Sequence, residues 1–178
     1  MLRELERLNS IWAAEAASRG ETPQPVRIGI GINTGDCCVG NVGSPQRFDY
    51  SILGDVVNVA SRLEDTTKTY GTPIVVGGRT ADCAPGMALI EIDSVEIRGK
   101  QRPERVYALL GDETVAASER FRNLKAAHAE LIAALRTGDV EKASRMLEAC
   151  RALGWTELSK LLDGYAHKIA AQAQGPRV

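Results

Sequence analysis

Residues 26–33 read Val26-Arg-Ile-Gly-Ile-Gly-Ile-Asn33, and apolar side chains occupy every second position. Because successive side chains of a β-strand point to opposite sides, this alternation predicts a strand with one apolar face. The opposite face carries Gly29 and Gly31. Glycine inside a strand indicates that another element approaches the backbone closely. We therefore expect a neighbouring element to cover the glycine face of this strand.

The sequence that follows predicts a hairpin and then a helix. Residues 40–43 have the composition of a turn, and residues 48–53 form a further extended run. A helix is predicted after Gly54, and Gly71–Pro73 ends it. Its expected core face consists of Val56, Val59, Ala60 and Leu63.

The elements on either side indicate the fold class. Residues 2–18 have the spacing of an amphipathic helix, and residues 73–76, 88–97 and 105–110 have strand patterns. Because strands and helices are mixed without a regular βαβ repeat, an α+β fold is favoured, with a mostly antiparallel sheet and helices on one face.

The pattern changes beyond Asp112, where only helical periodicity remains. Three helices are predicted, around residues 121–135, 140–150 and 158–169. We therefore expect a domain over residues 1–112 and a small α-helical hairpin array over residues 113–178.

Composition excludes several classes of function. The 178 residues carry a formal net charge of −1 and only 4% aromatic residues, so neither nucleic acid nor an anionic membrane is an expected partner. No apolar stretch is long enough to span a bilayer, and the N-terminal residues lack the apolar core of a signal peptide. The four cysteines have no metal-binding spacing, so we expect them to be reduced and packed as small apolar residues in a cytoplasmic protein.

Two polar residues of the predicted helix form a candidate site. Asn58 and Arg62 are four residues apart, so they share one helix face, and Asp55 lies on the same side. An amide beside a guanidinium suits a ribose oxygen and a phosphoryl oxygen, because the guanidinium is planar and always charged. From spacing alone, a simply solvated polar face is the alternative.

Several stretches together carry a family pattern. They are Ile28-Gly-Ile-Gly-Ile-Asn-Thr-Gly-Asp36, Val39-Gly-Asn-Val-Gly43, Phe48-Asp-Tyr-Ser-Ile-Leu-Gly-Asp-Val-Val-Asn-Val-Ala-Ser-Arg-Leu-Glu64, Tyr70-Gly-Thr-Pro-Ile74 and Val95-Glu-Ile-Arg-Gly-Lys100. In order and spacing they resemble the C-terminal half of a class III adenylyl/guanylyl cyclase catalytic domain. The resemblance implies part of a ferredoxin-like fold and the conversion of ATP to 3′,5′-cyclic AMP and pyrophosphate.

The resemblance also implies roles for particular residues. Asn58 would orient the ribose, and Arg62 would stabilise charge on the α-phosphate. Ser51 falls at the position that reads the purine. A hydroxyl there resembles the serine or threonine found in many bacterial adenylyl cyclases, and it favours ATP over GTP. Either Lys100 or Arg98 would meet the β- and γ-phosphates, and the sequence leaves both open.

One part of the family pattern is missing. The family binds two Mg²⁺ or Mn²⁺ ions through two aspartates upstream of the helix at residues 2–18, and this chain has no counterpart of them. Asp36 and Asp55 are not substitutes, since neither falls at the family's metal positions. The resemblance therefore implies a catalytic domain that lacks its N-terminal strands and is inactive alone.

The resemblance further implies a partner chain. The family works as a head-to-tail dimer with the active sites at the interface, so we expect a homodimer or a partner cyclase chain. The expected location is the cytoplasm, with the cytoplasmic part of a membrane-anchored sensor cyclase as one setting. The alternative is a non-catalytic dimerisation or interaction module derived from a cyclase. The helices of residues 113–178 resemble a tetratricopeptide-like hairpin.

Overall fold

The computed structural model describes residues 1–44, 47–95 and 103–174. Its helices are α1 (Leu2–Ser18), α2 (Asp55–Tyr70), α3 (Gly78–Asp82), α4 (Glu113–Ala116), α5 (Glu119–Thr137), α6 (Val140–Ala152) and α7 (Ser159–Ala173), with a 3₁₀ turn at Thr156–Leu158. Its strands are β1 (Ile30–Ile32), β2 (Cys38–Ser44), β3 (Arg47–Leu53), β4 (Ile74–Gly77), β5 (Ala88–Val95) and β6 (Glu104–Gly111).

The strands form a four-stranded sheet and a separate hairpin. The sheet has the order β1-β4-β6-β5, and the hairpin consists of β2 and β3. Strand β1 pairs with β4 in parallel, whereas β4 with β6 and β5 with β6 pair antiparallel. The expected α+β class with a mostly antiparallel sheet is confirmed.

Alternate residues of the sheet strands point to two hydrophobic cores, a large one on one face of the sheet and a small one on the other. Val75, Ile90 and Ala108 point to the face that is covered by helices. Val76 and Leu89 point to the other face, where the short helix α3 packs on them. Helices α2, α5, α6 and α7 therefore lie on one side of the sheet, as the mixture of elements predicted.

The glycine face of β1 is the face that helix α2 covers. A Cβ atom on Gly31 would overlap the carbonyl oxygen of Ala60 and the amide nitrogen of Glu64, and one on Gly29 would overlap the hydroxyl of Thr67. The expected close neighbour of the two glycines is thus α2. The helix can lie this near to the strand only because both positions are glycine and have no Cβ atom.

The helical extension shares its core with the sheet. Leu131 of α5, Leu147 of α6 and Leu162 of α7 belong to the same buried cluster as Ile90 and Ala108 of the sheet. Helix α2 lies before the domain boundary expected after residue 112, and α5, α6 and α7 lie after it. Residues of all four helices belong to this one cluster. The resemblance of the extension to tetratricopeptide hairpins stays a prediction.

Capping side chains fix the start of α4, α5 and α6 in the extension. The side chains of Asp112, Ser118 and Asp139 accept hydrogen bonds from main-chain amides in the first turns of α4, α5 and α6. Short polar side chains at this position satisfy amides that the helix itself leaves without partners.

Among the helices of the described residues, none combines the length and the apolar composition that a membrane span requires.

Two local expectations differ from the structure. The β1 ladder covers only Ile30–Ile32, not the whole of 26–33. Residues 40–43, expected as a turn, lie within β2 and pair with β3 residues 48–51. Strand β5 is described to Val95, and the last two residues expected in it lie outside the described residues.

The cysteine prediction was also wrong in part. All four cysteines are free, but Cys37, Cys38 and Cys83 are exposed, and only Cys150 is buried. The first two flank the start of an exposed hairpin and the third ends a short surface helix, so no core is available to them. Burial raises the pKa of the Cys150 thiol to about 11.

Candidate active site

Helix α2 presents the two residues predicted to bind nucleotide. Val59 and Leu63 are 2% and 3% exposed and anchor the helix in the core. Asn58 and Arg62 lie one turn apart on the exposed side of the helix. Neither side chain has a hydrogen-bond or ion-pair partner among the described residues. A carboxamide and a guanidinium are thereby held one turn apart on the exposed side of a helix that is anchored in the core, where they can bind a ligand.

The N-terminal half of α2 is fixed to the sheet by close packing and a polar contact. The glycine face of β1 lets the helix backbone approach, as described above. The Asn33 side-chain amide donates a hydrogen bond of 3.2 Å to the main-chain carbonyl of Val56. This contact links the end of β1 to the first turn of the helix that carries Asn58.

Ser51 lies on the strand that leads into the helix. It is half-buried on β3, its main chain opposite that of Gly40 in β2. Strand β3 ends at Leu53 and α2 begins at Asp55, so one residue separates the strand from the helix. The backbone therefore ties the purine-reading candidate to the same strand–helix junction as the other two residues.

Two of the predicted site residues are not placed by the structure. Lys100 and Arg98 lie outside the described residues, as does the whole connection between β5 and β6. The choice between them as the phosphate-binding residue stays a prediction.

The described residues do not fit a metal centre. Asp36 and Asp55 are both exposed and far from forming a ligand cluster. Within residues 1–44, 47–95 and 103–174, no group of three or more histidine, cysteine, aspartate or glutamate side chains could hold a metal ion. No step of the chemistry is therefore assigned to a metal on this chain.

Several cavities among the described residues lie away from this helix face. One of about 480 Å³ lies between α1 and the C-terminal end of α2, and two of about 380 Å³ flank the ion pair of Arg136 with Glu91. None of these three is lined by Ser51, Asn58 or Arg62. Among the described residues of the candidate site, Asn58 and Arg62 are exposed and Ser51 is half-buried.

The hairpin next to the site exposes apolar side chains. Val39 on β2 and Ile52 on β3 are directly opposite each other and are 52% and 53% exposed. Tyr50 on the same strand is 76% exposed. The hairpin has no place in the main sheet. It forms an apolar surface beside the strand–helix junction.

Sequence reasoning missed the residues that hold the far end of α2. The Tyr70 hydroxyl donates a hydrogen bond of 2.6 Å to Asp93 of β5, and the Lys160 ammonium of α7 donates one of 2.5 Å to the main-chain carbonyl of Lys68. Both contacts join residues far apart in sequence. No local motif marks such pairs, so no signal in one sequence identifies them.

Comparison with known proteins gives the chain a family. Residues 6–111 match the model of the adenylate and guanylate cyclase catalytic domain. Adenylate cyclase 1 of Rhizobium meliloti is 36% identical over 107 residues, 60% of this chain and 16% of the relative. The adenylate cyclase of Anabaena cylindrica is 40% identical over 93 residues, 49% of this chain and 18% of that protein. The chain thus spans less than a fifth of these curated relatives.

Solved cyclase structures are also similar. The adenylyl cyclase CyaB from P. aeruginosa has 30% identity and a TM-score of 0.46, covering 58% of this chain and 52% of that one. The guanylyl cyclase Cya2 has 32% identity and a TM-score of 0.46, covering 61% and 51%. The family match spans more than half of the chain, from α1 to the end of β6, and includes the whole strand–helix junction described above. The chain belongs to the adenylate and guanylate cyclase catalytic domain family.

Proposed function

We propose that this chain supplies the nucleotide-holding half of an adenylyl cyclase active site, which converts ATP to 3′,5′-cyclic AMP and pyrophosphate. The observation that carries the proposal is the pair Asn58 and Arg62, one turn apart on the exposed face of a core-anchored helix and unpartnered among the residues that the structure describes. A polar pair without internal partners on a rigid element is suited to an external ligand.

Each residue has a distinct task in this reaction. The ribose 3′-hydroxyl oxygen bonds to the α-phosphorus, the bond from that phosphorus to the departing pyrophosphate breaks, and the hydroxyl proton is released. Asn58 holds the ribose so that the hydroxyl lies in line with the leaving group. Arg62 stabilises the negative charge that accumulates on the α-phosphoryl oxygens, which a planar and permanently charged guanidinium does well.

The choice of ATP depends on Ser51. Its hydroxyl can both donate and accept a hydrogen bond and so can meet the amino edge of adenine. Similar proteins include both adenylyl and guanylyl cyclases, so the family alone leaves the purine open. Lys100 or Arg98 is proposed to bind the β- and γ-phosphates.

A second chain is proposed to complete the site. Asn58 and Arg62 are exposed, and so is the apolar pair Val39 and Ile52 next to them. A partner cyclase chain that keeps the family's metal-binding aspartates covers this surface, and its carboxylates would hold the two Mg²⁺ or Mn²⁺ ions. Ions held by the partner chain would supply charge neutralisation of the triphosphate and activation of the attacking hydroxyl.

A complementation assay tests this proposal. The chain is mixed, with Mn²⁺ and ATP, with a class III cyclase domain that keeps its metal-binding aspartates but carries alanine at its own transition-state arginine. We expect cyclic AMP only in the mixture, and loss of it with Asn58→Ala or Arg62→Ala. Arg79→Ala is the matched control, because Arg79 is exposed on α3 and unpartnered among the described residues. No product from a folded wild-type chain in the mixture would refute the proposal.

The exposed hairpin favours a second candidate, a non-catalytic interaction module. Apolar side chains on a hairpin outside the main sheet are typical of a surface that binds another protein. This candidate predicts concentration-dependent dimers in sedimentation and silence in the complementation assay. Product in the mixture excludes it.

A further inference from the structure

The C-terminal end of helix α2 is held by helix α7 of the extension. The Lys160 ammonium donates a hydrogen bond of 2.5 Å to the carbonyl of Lys68. This carbonyl is one of the last four of α2, which have no amide partner in a continuing helix. A cation at this end also complements the negative pole of the helix. Lys160 therefore acts as a C-terminal cap supplied by another helix.

The turn that ends α2 is shaped to receive this helix. Gly71 has a left-handed conformation with φ of 72°, and its amide donates a hydrogen bond of 2.8 Å to Thr67. A Cβ atom on Gly71 would lie 2.7 Å from the Cβ atom of Lys160. Glycine thus serves both the backbone conformation and the close approach of α7.

A second link runs from α2 through strand β5 to α7. The hydroxyl of Tyr70, the last residue of α2, donates a hydrogen bond of 2.6 Å to Asp93, and the Lys168 ammonium lies 3.9 Å from the same carboxylate oxygen. Burial, reinforced by this hydrogen bond, raises the pKa of Tyr70 above its usual value, so the hydroxyl keeps its proton. Leu162 of α7 and Leu63 of α2 share one buried cluster beneath these links.

We propose that α7 is a positioning element for the nucleotide-binding face of α2, with Lys160 as its positioning residue. The inference rests on the proposed function, because it assigns a catalytic consequence to the orientation of Asn58 and Arg62. Arg62 lies six residues from the capped carbonyl, about 9 Å along a rigid helix. Movement of one end therefore tilts the other, and a misplacement of about 1 Å at a reacting group can cost up to about a hundredfold in rate.

The test compares two substitutions of Lys160 in the whole chain. Lys160→Met keeps the length of the side chain and removes the donor, whereas Lys160→Arg keeps a donor and the charge. Lys125→Met is the matched control, since Lys125 is an exposed lysine of α5 without a partner among the described residues. Each variant is assayed in the complementation mixture for kcat and KM, and its α2 amides are followed by hydrogen exchange. Circular dichroism confirms that each is folded.

We expect K160M to lower kcat by about three- to tenfold with little change in the KM for ATP, because the helix still forms but is aligned less often. Amide exchange in the last turn of α2 should rise in parallel. K160R should retain most of the activity, and K125M should match the wild type. Tyr70→Phe, which removes the second link independently, should lower kcat in the same direction.

The outcomes separate this inference from the proposed function. An active wild-type mixture with unchanged kcat in both K160M and Tyr70→Phe overturns the positioning role and leaves the proposed function intact. Equal losses in K160M and K160R also overturn it, because the hydrogen bond is then irrelevant. A folded but inactive wild-type mixture overturns the proposed function, and the positioning role with it.

Discussion

The hydroxyl of Tyr165 on α7 donates a hydrogen bond of 2.8 Å to the main-chain carbonyl of Ile92 on the edge strand β5. Ile92 lies at an irregularity of the β5–β6 pairing, where Glu91 and Asp93 have partners in β6 and the residue between them has none. A buried carbonyl without a ladder partner is costly unless another group binds it. The helical extension therefore completes the hydrogen bonding of the sheet edge.

Removal of this hydroxyl is expected to destabilise the whole chain. Tyr165→Phe keeps the ring but leaves the Ile92 carbonyl and the nearby His128 nitrogen, 3.3 Å away, without their partner. We expect the free energy of unfolding to fall by about 1–3 kcal/mol, measured by urea denaturation. Tyr50→Phe makes the same chemical change at a 76% exposed site and should have almost no effect. Equal stabilities of the two variants would contradict the role given to Tyr165.

His128 predicts a pH dependence of stability. It is 2% exposed, and burial lowers its pKa from 6.5 to about 4. Between these two pH values the unfolded chain binds a proton that the folded chain does not. The free energy of unfolding is therefore expected to fall by up to about 3 kcal/mol as the pH drops from 7 to 4.

Two glutamine variants isolate this effect. His128→Gln retains an amide donor toward Tyr165 and does not titrate, so its stability should fall less between pH 7 and pH 4.5 than that of the wild type. His167→Gln alters the other histidine of the chain, which is exposed, and should keep the wild-type slope. Parallel pH profiles for His128→Gln and the wild type would show that His128 is not the titrating group.

The parts of the fold that local patterns determine were predictable. The period of two in residues 26–33 indicated both a strand and a crowded glycine face, and the structure has both at β1. The apolar spacing of Val59 and Leu63 similarly identified the buried side of α2. Asn58 and Arg62, each one residue before these anchors, are four residues apart and so share a different, exposed side of the helix.

The rest depends on contacts between residues far apart in sequence. Residues 40–43 have turn composition but pair as a strand, because the run 48–51 is extended and supplies their ladder partners. The capping of α2 by Lys160 and of the β5 edge by Tyr165 joins elements across the expected domain boundary. An isolated lysine or tyrosine on a helix carries no sign of such a partner.

The crowded glycine face makes a prediction that links packing to the site. Gly31→Ala should force α2 away from β1, because the new Cβ atom would overlap backbone atoms of the helix that have no rotamer to move into. We expect a loss of about 1–3 kcal/mol in the free energy of unfolding. Gly40→Ala is the matched control, since a Cβ atom on that strand glycine would meet nothing within 4 Å. A Gly31→Ala variant as stable as the wild type would mean that α2 does not pack this closely against β1.

Arg62 offers the sharpest test of the candidate site through a conservative change. Arg62→Lys keeps the positive charge but replaces the planar fork with a single ammonium group. If the fork stabilises charge that develops only in the transition state, kcat in the complementation mixture should fall by about a hundred- to a thousandfold. The KM for ATP should change little, since bound ATP interacts with the Arg62 side chain less strongly before the reaction than in the transition state.

The split between kcat and KM decides between the two tasks that a guanidinium at this position could perform. A higher KM with an unchanged kcat would assign Arg62 to binding the nucleotide in its ground state, against the role proposed here. Arg79→Lys, on a short helix on the other face of the sheet, controls for the general effect of replacing a surface arginine. Because Arg62 is exposed and unpartnered among the described residues, neither variant removes an internal contact, and a change in kcat reports on the ligand alone.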